Sequence, residues 1–556
     1  MTPLPHPFAT HQVSNQVEPL DDYSLFDTDL PLREAVQREG AAWALPELGE
    51  FGVWLGRAQA LAAGAAANRH APELQAYDPQ GRRIDRVRFH PAWDGLLAGA
   101  LGRGLHNRPW ALPGPGAHVA RAAGFLLQGQ VEAGVLCPIT MTYAAIPLLL
   151  RESDGAVAFT RDWLPRLYHR GHDGSDAPLA SKRAVLIGMG LTEKQGGSDL
   201  RAITTQAQPL GRAGPGQPYV LTGHKWFFSV PQADAHLVLA RCDAGISAFF
   251  LPRWIPGGGT RNAVRIRRLK DKLGNRSNAS AEVEFEQAWA VLLGEPGRGL
   301  ALMLEMAATT RLDCVLGSAA LMRQGLVQAL HHAAHRQAFG KPLLAQPVMR
   351  AVLADLALES EAAMLLGLRL ARAMDERGRQ DAAARLLRVA TPAAKLWVCK
   401  RAVNVLGEAM EALGGNGYVE EGPLARLYRE APVNAIWEGS GNVMALDVLR
   451  ALTRESDALA ALEAEMRMSC GADARYDAAV QQWLAQAAVP RESQARALAA
   501  GLARLLQAGL MLRHAPPGVA DAFVATRLQG GATLWGESLP GAAVSGILAR
   551  AWPGIG

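Results

Sequence analysis

The apolar residues of this chain change their period twice, and that double change limits the fold more than any other feature. Between about residues 181 and 290 the segments are short and alternate: in Ala281–Phe285, Val283 and Phe285 share one side and Glu282 and Glu284 the other, a period of two that means strand. Tyr219–Ser229, His236–Arg241 and Ile246–Pro252 are similarly short, rich in aromatic and β-branched residues, and separated by Gly/Pro turns such as GRAGPGQP and PGGG. After about residue 297 the period becomes helical. Leu312, Leu316 and Ala319 fall on one face, and Val403, Leu406, Met410 and Leu413 on another. The reading is an α+β chain in four regions. Residues 1–180 are mainly helical after an irregular start. Residues 181–290 form a β-barrel-like domain. Residues 291–450 form a helical bundle with breaks at Gly340-Lys341-Pro342 and Thr391-Pro392. Residues 451–556 form an extra C-terminal helical domain. A chain of 556 residues exceeds one core, and roughly three or four domains follow from its length.

Composition narrows the class. Hydrophobic residues make up 49% and charged residues 20%, the balance of a globular protein. A formal charge of +5 permits an anionic partner without requiring one. Cys137, Cys242, Cys314, Cys399 and Cys470 are scattered with no CxxC pair, which favours a reducing compartment over a disulfide framework or a zinc finger. The N-terminus lacks a charged start followed by an apolar core, and apolar stretches such as Ala144–Leu150 are short for a membrane span. A soluble cytoplasmic protein with no membrane contact is expected.

Five motifs carry chemistry. Met189-Gly190-Leu191-Thr192-Glu193-Lys194-Gln195-Gly196-Gly197-Ser198-Asp199 enters the β region. Its paired glycines let backbone approach a ligand, and the Thr192 and Ser198 hydroxyls suit phosphate or ring heteroatoms. By composition it is also an ordinary surface turn, and it is not a GxGxxG fingerprint. His224-Lys225-Trp226-Phe227-Phe228-Ser229 offers aromatics that either stack on a flat ring or fill a sheet core. Arg336-Gln337-Ala338-Phe339-Gly340-Lys341-Pro342 closes a long helix, where a cation also complements the helix dipole. His331 and His335, four residues apart, read as a solvated helix face rather than a metal site, since no third ligand accompanies them. Leu413-Gly414-Gly415-Asn416-Gly417-Tyr418 is a helix stop. In Asn434-Ala435-Ile436-Trp437-Glu438-Gly439-Ser440-Gly441-Asn442 a carboxylate lies among apolar and small residues, where desolvation makes a stronger base. Ser440 or Asn442 is a candidate cap for the helix that follows.

In this order the motifs resemble the acyl-CoA dehydrogenase superfamily over about residues 130–450. TEKQGGSD, GHKWFFSVPQADAHLVLA, RLKDKLGNRSNAS and APVNAIWEGSGN, with YDPQGRRIDRVRFHPAW and CPITMTYAAIPLLL, are similar to its AidB branch, bacterial adaptive-response flavoproteins induced by DNA alkylation. The resemblance implies FAD, with Met189, Gly190, Leu191, Thr192, Gly197 and Ser198 along the flavin and its pyrophosphate. Phe227 stands where the family usually has tryptophan, with Phe228 beside it, and Ser229 where it usually has threonine. Ile436, Trp437, Gly439, Ser440, Gly441 and Asn442 border the same FAD. Arg336, Phe339, Gly414, Gly415 and Asn416 match residues that contact the FAD of a neighbouring subunit, implying a homotetramer built as a dimer of dimers. Glu438 matches the base that removes the α-proton of an acyl-CoA while hydride passes to flavin N5, and an electron-transfer flavoprotein would reoxidise the flavin.

Two departures matter. Ala307 and Ala308 stand where the dehydrogenases often carry an aromatic-acidic pair, and Phe227 replaces a tryptophan. A weak, isovaleryl-CoA-type activity fits both. The branch is also associated with double-stranded DNA through its C-terminal domain, for which Arg450, Arg467, Arg475, Arg491, Arg496 and Arg504 are the candidates. Residues 451–556 hold nine Arg and nine Asp plus Glu, which weakens that expectation. Arg261–Arg276, with seven basic residues and one acid, is an alternative cationic surface. A vestigial DNA-protecting flavoprotein and a dedicated short- or branched-chain acyl-CoA dehydrogenase remain as alternatives.

Overall fold

The computed structural model describes residues 10–153, 158–455, 457–529 and 533–554. The N-terminal region is helical, with Leu45–Gly56, Pro91–Gly102, Ala117–Val131 and Leu136–Ser153 as its main helices. Ala117–Val131 is buried along its whole length. A helix so placed must pair its polar side chains, and Arg121 does so with Asp313 of the bundle. The region also holds an antiparallel hairpin, Glu73–Tyr77 with Arg83–Arg88, that the helical reading misses. Its signals are the alternation Arg86, Val87, Arg88, Phe89 and the turn Asp78-Pro79-Gln80-Gly81.

The middle region is a seven-stranded sheet. Ser280–Leu293 pairs Pro218–Ser229, which pairs Gln206–Pro209, which pairs Ala235–Cys242. Gly245–Pro252 pairs both Ala235–Cys242 and Ser280–Leu293, closing the ring into a barrel. Alternate residues of one strand serve two cores because successive side chains point to opposite faces. Val238 and Ala240 face the barrel interior with Phe249 and Phe285, whereas Leu237 and Leu239 face Met141 and Met303 of the flanking helices.

Three long helices, Gly299–His335, Pro347–Glu376 and Asp381–Ala412, form the bundle. The Cys399 thiol donates to the Cys314 carbonyl at 3.4 Å, and a Cβ on Gly325 would lie 2.6 Å from Leu406, so the first and third helices run parallel. The break expected at Thr391-Pro392 does not occur. Both residues are buried inside Asp381–Ala412. Proline removes one backbone bond, but a helix this long, packed on several neighbours, is held by its buried faces.

The C-terminal helices Ala458–Arg467, Ala474–Ala488, Ala495–His514, Pro517–Leu528 and Val544–Ala551 dock on the bundle. Arg527 bonds Asp355 at 2.6 Å and Glu359 at 2.9 Å, and Arg550 bonds Glu361 at 2.9 Å, tying this region to Pro347–Glu376. The segment Glu492–His514 is long and apolar enough to cross a membrane by composition, which the sequence reading passed over. Its apolar window is 67% buried inside the molecule, as expected of a core helix. Gly530-Gly531, a glycine pair that reads as a turn in the sequence, lies outside the described residues.

Candidate active site

The first part of the site grows from the loop that follows strand Ile187–Gly190. Glu193 is fully buried and accepts bonds from Lys225 Nζ at 2.7 Å, the Thr204 amide at 2.6 Å and the Thr205 hydroxyl at 2.6 Å. Burial pushes its carboxyl up, but Lys225 and the Thr204 and Thr205 donors outweigh that and hold it well below the usual range. Burial pulls Lys225 down to about 8 against the Glu193 charge. The Trp226 amide donates to the Thr192 carbonyl at 2.8 Å, so loop and strand are fixed to each other. A Cβ at Gly197 would sit 2.5 Å from Thr192 Oγ1, so glycine is what lets the loop fold over that hydroxyl.

Two neighbouring phenylalanines separate by face. Phe227 is 50% exposed, whereas Phe228 is 1% exposed and stacks on His236 at 3.9 Å. The expectation that Phe228 contacts a cofactor is therefore corrected: its ring fills the space over Gly190 in the barrel core, where alternation along the strand directs it. Met189, Leu191 and Trp437 pack against one apolar cluster that includes Cys137, Met303 and Met306, which joins this loop to the Glu438 segment.

The second part is the turn at Glu438. Its φ is +57° and that of Gly439 is +99°, a left-handed pair that is costly at a non-glycine residue. Two cations hold it. Arg311 Nε donates to the Glu438 carbonyl at 3.0 Å and Lys395 Nζ donates to the Gly439 carbonyl at 2.8 Å. Arg311 is also paired with Asp447 at 2.8 Å. The Glu438 carboxyl accepts from Thr310 Oγ1 at 2.7 Å. Burial pushes this carboxyl up, against the Thr310 bond and the Arg311 and Lys395 charges. Trp437 is steadied by its Nε1 bond to Asn434 at 3.1 Å. Ser440 occupies the N-cap position of Gly441–Arg454 but its side chain makes no capping bond, and Asn442 accepts from Arg496 at 2.7 Å, so neither candidate cap acts as one. Thr310, Arg311 and Lys395 were not singled out from the sequence. Their signal is faint: small or basic residues at helical spacing among apolar ones.

A buried ion pair lies on the same helix as Thr310. Asp313, one turn beyond Thr310, makes a bidentate ion pair with Arg121 and accepts the Thr140 hydroxyl. Asp313 and Arg121 are both buried, and Thr140 is half-exposed.

Other expected site residues lie elsewhere. Arg336 is 26 residues from Thr310 toward the end of the same chain segment, roughly 39 Å along a helix at about 1.5 Å per residue. It bonds the Asn15 carbonyl, and Phe339 beside it is 98% exposed. Gly414, Gly415 and Asn416 follow the end of the parallel helix Asp381–Ala412, so they share that far end of the bundle. One chain does not bring these residues to Glu438. His331 Nε2 faces the Glu18 carbonyl at 2.9 Å and His335 Nδ1 the His331 carbonyl at 2.8 Å.

The arginines considered for DNA are mostly engaged. Arg475 pairs with Asp473 and Asp521, Arg467 with Glu463, and Arg496 bonds Asn442. Arg450 lies 3.9 Å from Asp447, and Arg504 lies over Trp397 at 5.5 Å. Arg491 is exposed. On the alternative surface, Arg265, Arg267 and Arg268 pair with Glu286, Glu284 and Glu282 of the neighbouring strand. These partners offset much of the cationic field that phosphate binding needs.

The residues present suit a flat, phosphate-bearing cofactor. An exposed Phe227 ring, the half-exposed Thr192, the exposed Ser198 and a glycine pair free of side chains lie together on the loop and strand just described.

Comparisons with known proteins agree with this geometry. Residues 15–174 match the Adaptive response protein AidB N-terminal domain, residues 188–288 the acyl-CoA dehydrogenase middle domain, and residues 297–453 the acyl-CoA dehydrogenase C-terminal domain. The chain is 48% identical over 550 residues to the acyl-CoA dehydrogenase-type protein AidB of Escherichia coli (strain K12), covering 99% of both. It is 32% identical to the human mitochondrial short-chain specific acyl-CoA dehydrogenase, over 68% of this chain and 86% of that one. Among solved structures, Caenorhabditis elegans ACDH-11 in complex with C11-CoA superposes with a TM-score of 0.84 at 25% identity, covering 98% of each chain.

Proposed function

The chain belongs to the acyl-CoA dehydrogenase family, whose members are FAD-dependent oxidoreductases, and on that premise we propose that Glu438 is the base that takes the α-proton of an acyl thioester. The 189–198 loop and Phe227 would hold FAD, which would supply the acceptor for the β-hydrogen and its electron pair. The observation that carries the proposal is the Glu438 turn, where a desolvated carboxyl is set on a left-handed backbone by Arg311 and Lys395. Desolvation makes the carboxylate a stronger base, and a fixed position keeps it at the reacting carbon.

This proposal takes a short or branched acyl group as the substrate. It is supported by Ala307 and Ala308, which stand where the family often carries an aromatic-acidic pair, and by the likeness to a short-chain specific relative. Isovaleryl-CoA is a suitable probe.

The same proposal includes a homotetramer, a dimer of dimers. It is supported by the distance of Arg336, Phe339 and Gly414–Asn416 from Glu438, which lets them serve only the FAD of another subunit. An electron-transfer flavoprotein is the acceptor in this scheme, and the free, scattered cysteines support a cytoplasmic location. The match of residues 15–174 to an adaptive-response domain supports a role in the response to DNA alkylation. The ion pairs on the basic surfaces favour enzymatic turnover over a purely DNA-bound role.

The test is exchange at the α-carbon. Wild-type holoenzyme incubated with isovaleryl-CoA in deuterated water incorporates deuterium at the α-position. Glu438→Gln with FAD bound does not. Exchange at the wild-type rate in that variant would assign the base to another residue.

A further inference from the structure

Thr310 Oγ1 carries one hydrogen and faces two acceptors. It lies 2.7 Å from Glu438 Oε2 and 3.1 Å from the carbonyl oxygen of Ala307, one turn back on the same helix. A single hydroxyl hydrogen serves one of them at a time, and it rotates freely about the C–O bond. We propose that Thr310 is a positioning residue that senses the charge of Glu438: its hydrogen points to the carboxylate while Glu438 is ionised and swings to the Ala307 carbonyl once Glu438 has taken a proton.

This rests on Glu438 being the base. A hydrogen bond to an ionised acceptor is roughly twice as strong as one to a neutral acceptor. The carboxylate therefore holds the hydroxyl before proton abstraction, and the helix carbonyl holds it afterwards. Threonine bonding back to the carbonyl of the preceding turn is an ordinary state of a helical threonine. No heavy atom moves, and the hydroxyl has an acceptor in both states. The effect is to favour ionised Glu438 selectively and so to oppose part of the desolvation that raises it.

The other charged and titratable groups around the carboxyl are committed elsewhere. From Gly299–His335, Arg311 bonds the Glu438 carbonyl and Asp447, and Asp313 is held by Arg121 and Thr140. From Asp381–Ala412, Lys395 bonds the Gly439 carbonyl and Arg388 bonds Asp447. The thiols of Cys137, on Leu136–Ser153, and Cys314 are buried nearby and pushed up by burial, Cys137 to about 12, so neither carries charge at neutral pH.

The experiment is the pH profile of anaerobic flavin bleaching by isovaleryl-CoA in wild type, Thr310→Val, Thr310→Ala and Thr310→Ser, each as holoenzyme with its flavin spectrum checked. The expected result is that the Val and Ala variants move the midpoint up by about one unit, the scale of one lost hydrogen bond to a charged group. Near neutral pH they bleach several-fold more slowly and recover at high pH, while Thr310→Ser keeps the wild-type midpoint. An unmoved midpoint with a lower plateau would mean only a packing role and would overturn the inference, as would a Ser variant that behaves like Val. Glu438→Gln run alongside separates the two claims, since normal bleaching there removes the base assignment itself.

Discussion

Lys395 Nζ donates a 2.8 Å hydrogen bond to the Gly439 carbonyl, and the lysine is 1% exposed. With Arg311 on the preceding carbonyl, a pair of cations clamps the two peptides that carry the base. The clamp offsets a backbone state that costs of order 1–3 kcal/mol at Glu438.

Lys395→Met should therefore damage the reaction more than the fold. The bleaching rate by isovaleryl-CoA is expected to fall about a hundredfold, as for a reacting group displaced by about 1 Å. The thermal midpoint should fall moderately, because the Gly439 carbonyl loses its donor and the left-handed turn its support, a cost of about 1–3 kcal/mol. Stopped-flow and thermal melts measure the two effects. An unchanged rate with a large loss of stability would contradict the clamp.

The pH dependence follows from the direction of the Glu438 shift. The base works when ionised, and burial raises its pKa above 4.5, so bleaching should rise with pH with a midpoint above that value. Stability moves the other way. The folded carboxyl holds its proton more tightly than the unfolded one. Its contribution is present at low pH and is lost as pH rises through the folded value. Relative to wild type, Glu438→Gln should gain stability over that window, as denaturant titrations at several pH values would measure.

Glu193 and Lys225 form a pair that is 0% exposed on both sides. Lys225→Met leaves a buried carboxylate alone and should cost about 3–5 kcal/mol and release FAD, because the same carboxylate anchors the 189–198 loop. Glu193→Leu/Lys225→Met should recover part of the stability. The lowered Glu193 pKa adds a sign: its stabilisation is present above the unfolded carboxylate value and is lost as pH falls through the folded one. Flavin fluorescence during acid titration reports that release.

Chain length tests the substrate class. Activity should fall from short to long acyl-CoA. Better turnover of long chains by the wild type would contradict it.

The sequence was informative where period and motif agree. The alternation of Val283 and Phe285 against Glu282 and Glu284 announces a strand, and Glu438 stands out as a carboxylate among apolar residues. What escaped depends on contacts between distant segments. Nothing in the run around Thr310 or Lys395 shows that both reach the Glu438 turn, since Lys395 lies 43 residues before it and approaches only when the helices pack. Phe228 misled because adjacent aromatics look equivalent in sequence, whereas the pleat sends one to solvent and the other inward. Pro392 misled because a local rule was outweighed by burial on both sides. The C-terminal arginines were legible as charges, but their partners, such as Asp521 for Arg475, appear only after folding.

The most direct measurement is anaerobic addition of isovaleryl-CoA to the purified holoenzyme and to Glu438→Gln, followed by flavin absorbance. The account predicts that the wild type bleaches and that the variant, with an unchanged flavin spectrum before mixing, does not. Bleaching at the wild-type rate in Glu438→Gln would contradict it.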